Sequence, residues 1–197
     1  MKKFIASLFL LSAGSAGALY DELIPLRGFY QNCLSARFCS EIRQIVKDKN
    51  PYQIVDLNCG VGDASIAAAE VCHSATTIYS IDMWADAGGP HSVYHKFLSN
   101  VVATGYDMII EGVRMSPAEA ALMLDLAPDF IIINMEDSEE AAYSILKTWY
   151  SKLSPGGTIL STGWDKPAAV RGIMHACNEL GFMVYYEDFF FKVYKNL

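Results

Sequence analysis

Apolar and polar positions alternate along this chain in blocks whose period keeps changing. Phe38, Ile42 and Ile45 fall at i, i+4 and i+7, one buried face of a helix that Pro51 stops. The period then shortens to an apolar run at 53–57, the pattern of a buried strand. A small-residue helix follows from Ala64 to Val71, then a strand at 76–82 ("TTIYSID") and a helix from Ser92 to Val102. "MIIEG", 108–112, predicts a short strand. Ser116-Pro117 opens the next helix, with Glu119 completing a capping box. "DFIIIN", 129–134, is apolar on both faces, as the centre of a parallel sheet requires. Ala142, Ile145, Leu146, Trp149 and Leu153 then line one helical stripe. After the turn "SPGG" comes the strand "TILST", and after that a helix from Lys166 to Leu180 with Gly181 as its C-terminal cap. The last two strands, 182–186 and 189–194, are separated by Glu187-Asp188 alone. That leaves no room for a parallel crossover, so they form an antiparallel hairpin.

Strand–helix alternation closed by a hairpin predicts an α/β, three-layer sandwich. Its Rossmann-like, seven-stranded sheet is mostly parallel, with right-handed crossovers and a terminal antiparallel hairpin. In such sheets ligands sit beyond the carboxyl ends of the strands. The segments to inspect are therefore 56–62, 82–84, 112–115, 134–137 and 161–165.

The first 18 residues stand apart from this pattern. Lys2 and Lys3 precede an apolar run from Phe4 to Leu11, and Ala16-Gly17-Ala18 offers an A-x-A-like cleavage site. This is the layout of a secretory signal peptide, with an apolar run too short for a transmembrane helix. The domain plan is thus a signal peptide at 1–18, a helical segment at 19–51 and the α/β domain at 52–197. The expected location is periplasmic or secreted, or cytoplasmic if the N-terminus is retained. Loss of Lys2 and Lys3 takes the net charge from −7 to −9. That charge, a pI near 5.0 and the lack of a Lys/Arg-rich stretch argue against a nucleic-acid partner. Cys33, Cys39, Cys59, Cys72 and Cys177 follow no metal-ligand spacing. Cys33 and Cys39 are close enough in sequence to pair in an oxidising compartment, and the other three read as small core residues.

The chemistry gathers after the first two strands. "IVDLNCGVGDAS", 54–65, runs from a strand into a turn with Asn58, Gly60 and Gly62. Glycine supplies positive φ and lets a ligand approach the backbone, and Asn58 tolerates the left-handed region. Asp56 sits where a carboxylate would receive an amine or a water. Asp82, 20 residues beyond Gly62, ends the second strand, where a carboxylate can accept hydrogen bonds from ribose hydroxyls. Met83 and Trp84 would follow as an apolar platform for a purine. Each feature alone also fits a solvated acid or an ordinary core.

Together these residues resemble a class I S-adenosylmethionine-dependent methyltransferase, from about Tyr52 to Tyr194. "VDLNCGVG" resembles that family's first, acidic and glycine-rich motif, with Asn58 in place of its first glycine. "IYSIDMW" resembles the second motif, whose acid holds the ribose. "DFIIINMEDSEEAAYSILKTWYSKLSPGGTIL" resembles the small-molecule O-methyltransferase subgroup. The resemblance implies S-adenosylmethionine as cofactor, with its methionine end near Asp56, Asn58, Gly60 and Gly62 and its ribose on Asp82. The adenine would lie near Met83, Trp84 and the loop carrying Val113, Arg114 and Met115. It also implies a small-molecule acceptor, with oxygen as the methyl-accepting atom.

Two departures bear on mechanism. The subgroup's strand-four acid aligns with Asn134, and its strand-five acidic pair is replaced by Ser161-Thr162-Gly163. Mg²⁺ needs hard oxygen ligands. Asn134 with Asp165 is a thin set, so no metal is expected, and Glu136, Asp137 and Asp165 leave a metal as the weaker alternative. His91 and His95 have the pKa range of a general base and equally suit a solvated helix start. Two further readings compete with methyl transfer. One is a non-catalytic nucleoside-binding or scaffold protein on the same fold, suggested by Asn58, the missing acids and the export signal. The other is a nicotinamide oxidoreductase, which the closing hairpin and "SPGG" disfavour.

Overall fold

The computed structural model describes residues 34–85 and 92–196. The signal peptide expected at 1–18, Cys33 and His91 lie outside the described residues. The element order is α1 (Ala36–Lys49), β1 (Gln53–Leu57), α2 (Asp63–Ala69), β2 (Thr77–Asp82), α3 (Val93–Thr104), β3 (Ile110–Arg114), α4 (Pro117–Met123), β4 (Phe130–Ile133), α5 (Glu139–Lys152), β5 (Thr158–Thr162), α6 (Pro167–Leu180), β6 (Val184–Glu187) and β7 (Phe190–Tyr194).

Helix ends follow local chemistry. Ser35 caps α1, Ser92 caps α3 and Ser138 caps α5, each through its hydroxyl. Ser116 and Glu119 form the expected capping box on α4, and Gly181 ends α6 with φ 71°. Lys166 gives α6 no side-chain cap. Asp137 does so from the loop after β4, its Oδ1 accepting from Ala168 N at 3.1 Å and Ala169 N at 3.3 Å.

The seven strands form one sheet in the order β3-β2-β1-β4-β5-β7-β6. β1 pairs in parallel with both β2 and β4, and β4 with β5. β7 enters antiparallel between β5 and β6. The chain moves outward in opposite directions from β1 and β4, so a crevice opens above that boundary. Both faces are covered. Phe38, Ile42, Ile66, Phe97 and Val101 of α1–α3 pack on Ile54, Ile78, Phe130 and Ile132. Leu146, Trp149 and Ile173 of α5 and α6 pack on Val55, Leu57, Ile131 and Ile133. α1 is also tied to the hairpin by the Lys192–Glu41 ion pair at 2.6 Å and by Arg37 with Glu187 and Asp188.

β3 is displaced by two residues from the expected 108–112. Gly105 ends α3, and Tyr106 O then accepts from both Ile109 N and Ile110 N, each at 3.0 Å. Residues up to Ile109 are thereby drawn into a turn, and Met108 is 88% exposed. Val113 and Arg114, expected in the loop after this strand, are its last two residues, with Asp82 opposite Arg114. β6 also starts two residues late, because Phe182 is buried against Tyr150 instead of pairing.

Candidate cofactor site

β1 delivers its chain into a turn that only a few residue types can make. Asn58 has φ 54°, Gly60 φ 55° and Gly62 φ 89°. Gly62 N donates to Cys59 O at 2.9 Å. A Cβ on Gly62 would lie 2.9 Å from the Phe97 ring, whereas one on Gly60 would meet nothing within 4 Å. Gly62 thus admits an aromatic core residue, and Gly60 leaves its backbone open to a ligand.

Asp82, at the end of β2, binds this turn directly. Its Oδ2 accepts from Gly60 N at 3.0 Å and its Oδ1 from Trp84 N at 2.9 Å. Each oxygen keeps a lone pair for an incoming hydroxyl. Trp84 does not form an open platform beside exposed Met83. It is 2% exposed, packed on Tyr94 and Phe97, and its indole Nε1 donates to Gly60 O at 2.8 Å. Asn100 of α3 donates to Val61 O at 3.0 Å.

Asp56, within β1, is 1% exposed. Its Oδ2 accepts from Ser65 N at 3.1 Å and Ser65 Oγ at 2.6 Å, and Ser65 Oγ lies 2.6 Å from Ser80 Oγ. Burial pushes the Asp56 carboxyl up to about 7. The Ser65 bonds oppose that shift, and the charges of Asp82 and Asp63 add to it. Burial, followed by the charges of Asp56 and Asp82, also holds the Cys59 thiol well above its ordinary range.

Two cavities open over the strand ends. One, of about 230 Å³, is lined by Leu34, Phe38, Asp56, Gly60, Asp63 and Asn134 among others. The second, of about 180 Å³, lies toward α4 and α5 and includes Ser116, Pro117, Met135, Glu136 and Trp149. Asn58 lines both, and its Nδ2 donates to Asn134 O at 3.2 Å. The structure therefore brings Asp56, Asn58, Gly60 and Asn134 around one cavity, with Asp82 one hydrogen bond away through Gly60. Val113 is buried in the core and its side chain faces neither cavity. Arg114 is exposed, with its guanidinium over Tyr94 at 5.9 Å. His95 lies in the first turn of α3 and lines neither cavity.

The ends of β4 and β5 are joined by neutral groups. Thr162 Oγ1 donates to Asn134 Oδ1 at 3.2 Å and accepts from Met135 N at 3.0 Å. Lys166 Nζ donates to Met135 O at 2.5 Å. Asp137 is committed to α6. Asn134, Thr162 and Lys166 thus bring together an amide, a hydroxyl and an ammonium, and no group of three His, Cys, Asp or Glu that could hold a metal ion occurs among the described residues.

Ser65, Ser80 and Asn100 were not among the residues the sequence pointed to. Asn100 carried a usable signal, since it sits three residues after Phe97 within an otherwise apolar helix face. A polar side chain at such a position needs a partner.

No protein-family model matches the sequence, and no curated protein matches it. Solved structures do. The O-methyltransferase TomG from Streptomyces achromogenes, involved in tomaymycin synthesis and solved with SAM, is similar at TM-score 0.67 and 15% identity. That match covers 84% of this chain and 82% of TomG. An O-methyltransferase from Bacillus cereus, solved with SAH, gives TM-score 0.65 and 13% identity over 90% of this chain and 91% of its own. A SAM-dependent O-methyltransferase from Thermotoga maritima gives 0.67 and 14% over 91% and 71%. With its seven-stranded order and terminal hairpin, this chain has the fold of the class I S-adenosylmethionine-dependent methyltransferases.

Proposed function

We infer that this protein binds S-adenosylmethionine across the carboxyl ends of β1, β2 and β4 and directs its methyl group to a small-molecule acceptor, at oxygen, without a metal ion. The observation that carries this reading is the Asp82 carboxylate. It is fixed between Gly60 N and Trp84 N, beside a glycine whose surroundings are open. Asp82 would hold the ribose. The cavity of Asp56, Asn58 and Asn134 would take the methionine end, and the apolar slot at Pro117 and Met135 the purine, with Asn58 at the junction. The similar structures solved with SAM or SAH support this choice of ligand.

The bound sulfonium supplies an electrophilic methyl group with a good leaving group. What is left to the protein is orientation and exclusion of water. Asn58 and Asn134 orient through amides and a carbonyl, and Leu34, Phe38 and Ile132 line the larger cavity with apolar surface. Asp56 and Asp63 place acidic groups where a cationic end would lie. The neutral links at Asn134 and Thr162 favour a metal-free site.

Titration calorimetry of S-adenosylhomocysteine into the full chain and into Asp82→Ala tests the reading. Micromolar binding to the wild type, weakened more than a hundredfold in a variant with an unchanged circular dichroism spectrum, is the expected result. No heat from folded wild type would overturn it. A second reading, nucleoside binding without transfer, is favoured by one observation: among the described residues no histidine lines either cavity. Binding with no S-adenosylhomocysteine formed across a panel of phenols, catechols and carboxylic acids would select it. Export through residues 1–18 belongs to the same proposal. N-terminal sequencing of secreted material should begin at Leu19, and a retained Met1 would refute it.

A further inference from the structure

The turn at 58–62 has three residues at positive φ out of five. One internal hydrogen bond, Gly62 N to Cys59 O, is its own contribution to holding that shape. Gly60 has nothing packed within 4 Å of where a side chain would start. A turn so exposed on its ligand side has to be held from beneath.

Four residues of the β2–α3 region, Asp82, Trp84, Phe97 and Asn100, do this. Trp84 sits at φ 41°, a conformation unusual for a bulky aromatic residue. It turns the indole under the turn, so that Nε1 reaches Gly60 O at 2.8 Å while the Trp84 backbone N reaches Asp82 Oδ1 at 2.9 Å. Gly60 N completes the circuit on Asp82 Oδ2 at 3.0 Å. Residues 60, 82 and 84 are thus joined in a closed ring of three hydrogen bonds. Beside it Asn100, 5% exposed, takes Val61 O at 3.0 Å. Phe97 fills the space between, 4.8 Å from the Trp84 ring and against Gly62. The carbonyls of two successive turn residues are thereby captured by side chains that themselves cannot move without disturbing the core.

We propose that Trp84 and Asn100 are positioning residues that hold the Gly60–Val61 backbone and the Asp82 carboxylate in their binding geometry before any ligand arrives. This inference rests on the cofactor reading above. It gives Trp84 a role other than stacking on a purine: the indole N–H, and not the ring face, serves the site.

Trp84→Phe keeps an aromatic ring in the stack and removes the N–H. Asn100→Leu keeps the volume and removes the amide. S-Adenosylhomocysteine affinity is measured by calorimetry, amide hydrogen exchange of the ligand-free protein by peptide mass spectrometry, and stability by thermal unfolding. Trp84→Phe should weaken binding roughly tenfold, the scale of one hydrogen bond whose partner is left unmet. Exchange should speed up at 58–62 and stay unchanged in β4, β5, α5 and α6. Asn100→Leu should do the same to a smaller degree. The double variant should lose less than the product of the two single losses, because both side chains hold one turn. Affinity within twofold of wild type, with unchanged exchange at 58–62, would overturn the proposal in either variant. Faster exchange spread evenly over all segments would also overturn it, by marking a general loss of stability. If the wild type binds no S-adenosylhomocysteine, the cofactor reading fails. The exchange pattern then still decides whether the indole holds the turn.

Discussion

The ends of β1 and β2 and the ends of β4 and β5 face one crevice but are held by different kinds of interaction. In the first half, a carboxylate with two backbone partners, an indole and an amide hold a turn rich in left-handed residues, and a buried carboxyl beneath it binds Ser65. In the second half, Thr162 and Asn134 meet through a neutral hydroxyl–amide bond, and Asn134 is exposed. The difference separates two tasks. A ligand common to a whole fold can be met by rigid, preorganised groups, while the surface that chooses an acceptor needs no fixed pattern. Perturbing the first half should therefore change stability, pH dependence and cofactor affinity together. Perturbing Thr162, on the β5 side of the second, should leave cofactor affinity nearly untouched.

The largest effect on stability is expected at Asp56. Its folded-state pKa of about 7 stands above the ordinary carboxyl value of 3.8, so the folded protein binds the extra proton between those values. Stability must then fall as pH rises through that window. The cost is absent below about pH 4 and complete above about pH 7, where it reaches about 4 kcal/mol. Asp56→Asn removes the ionisation and keeps an acceptor for Ser65. Urea unfolding should find the variant progressively more stable than wild type from pH 4 to pH 8. Equal slopes against pH would show that the carboxyl is not held protonated. Asn134→Asp in the other half should shift stability by less than about 0.5 kcal/mol at any pH in that range.

Gly62→Ala comes next. It forces a side chain into φ 89° and to within 2.9 Å of Phe97. The expected loss is about 2–3 kcal/mol, combining backbone strain with overpacking. Thermal unfolding reads it, and a loss below about 1 kcal/mol would mean that Phe97 has room to move. Thr162→Val, in the second half, leaves the Met135 N–H without its acceptor and costs about 1–2 kcal/mol. The sharper measurement is its S-adenosylhomocysteine affinity, expected within about threefold of wild type, against the roughly tenfold loss for Trp84→Phe. Equal losses in both would dissolve the distinction between the halves.

The same division explains what could be read from the sequence. Strand order, the closing hairpin and the turn at Asn58, Gly60 and Gly62 rest on local signals: apolar period, a two-residue connection, and residues that tolerate positive φ. Asp82 was legible because a strand end and a glycine turn point to it together. Trp84 was legible as a neighbour of that turn but not in its contact with it, since an indole reads alike as platform, core or donor until its partner 24 residues away is known. β3 was misplaced because Met108 and Ile109 are as apolar as a strand, and only the pairing of Ile110 N and Ile109 N with Tyr106 O moves the start. The β4–β5 half carries no comparable signal, because an Asn–Thr contact between two strands leaves no spacing rule behind it.

The smallest predicted effect is that of a divalent cation, and it tests the second half most directly. Mg²⁺ holds on to its water unless several charged oxygens replace it. Asn134 offers one amide oxygen already engaged by Thr162, Asp137 caps α6, and the Lys166 ammonium stands on Met135 O. A cation would have to displace the first, uncap a helix to recruit the second, and accept a like charge nearby. A site whose Kd were a hundredth of the added Mg²⁺ concentration would stabilise the fold by about 2.7 kcal/mol, enough to raise the unfolding midpoint by several degrees. Millimolar Mg²⁺ should instead move it by less than about 1 °C, with or without S-adenosylhomocysteine, and chelator should do nothing. A rise of several degrees that Asn134→Ala abolishes would place a metal between β4 and β5, and the neutral links there would be a resting state that the cation opens.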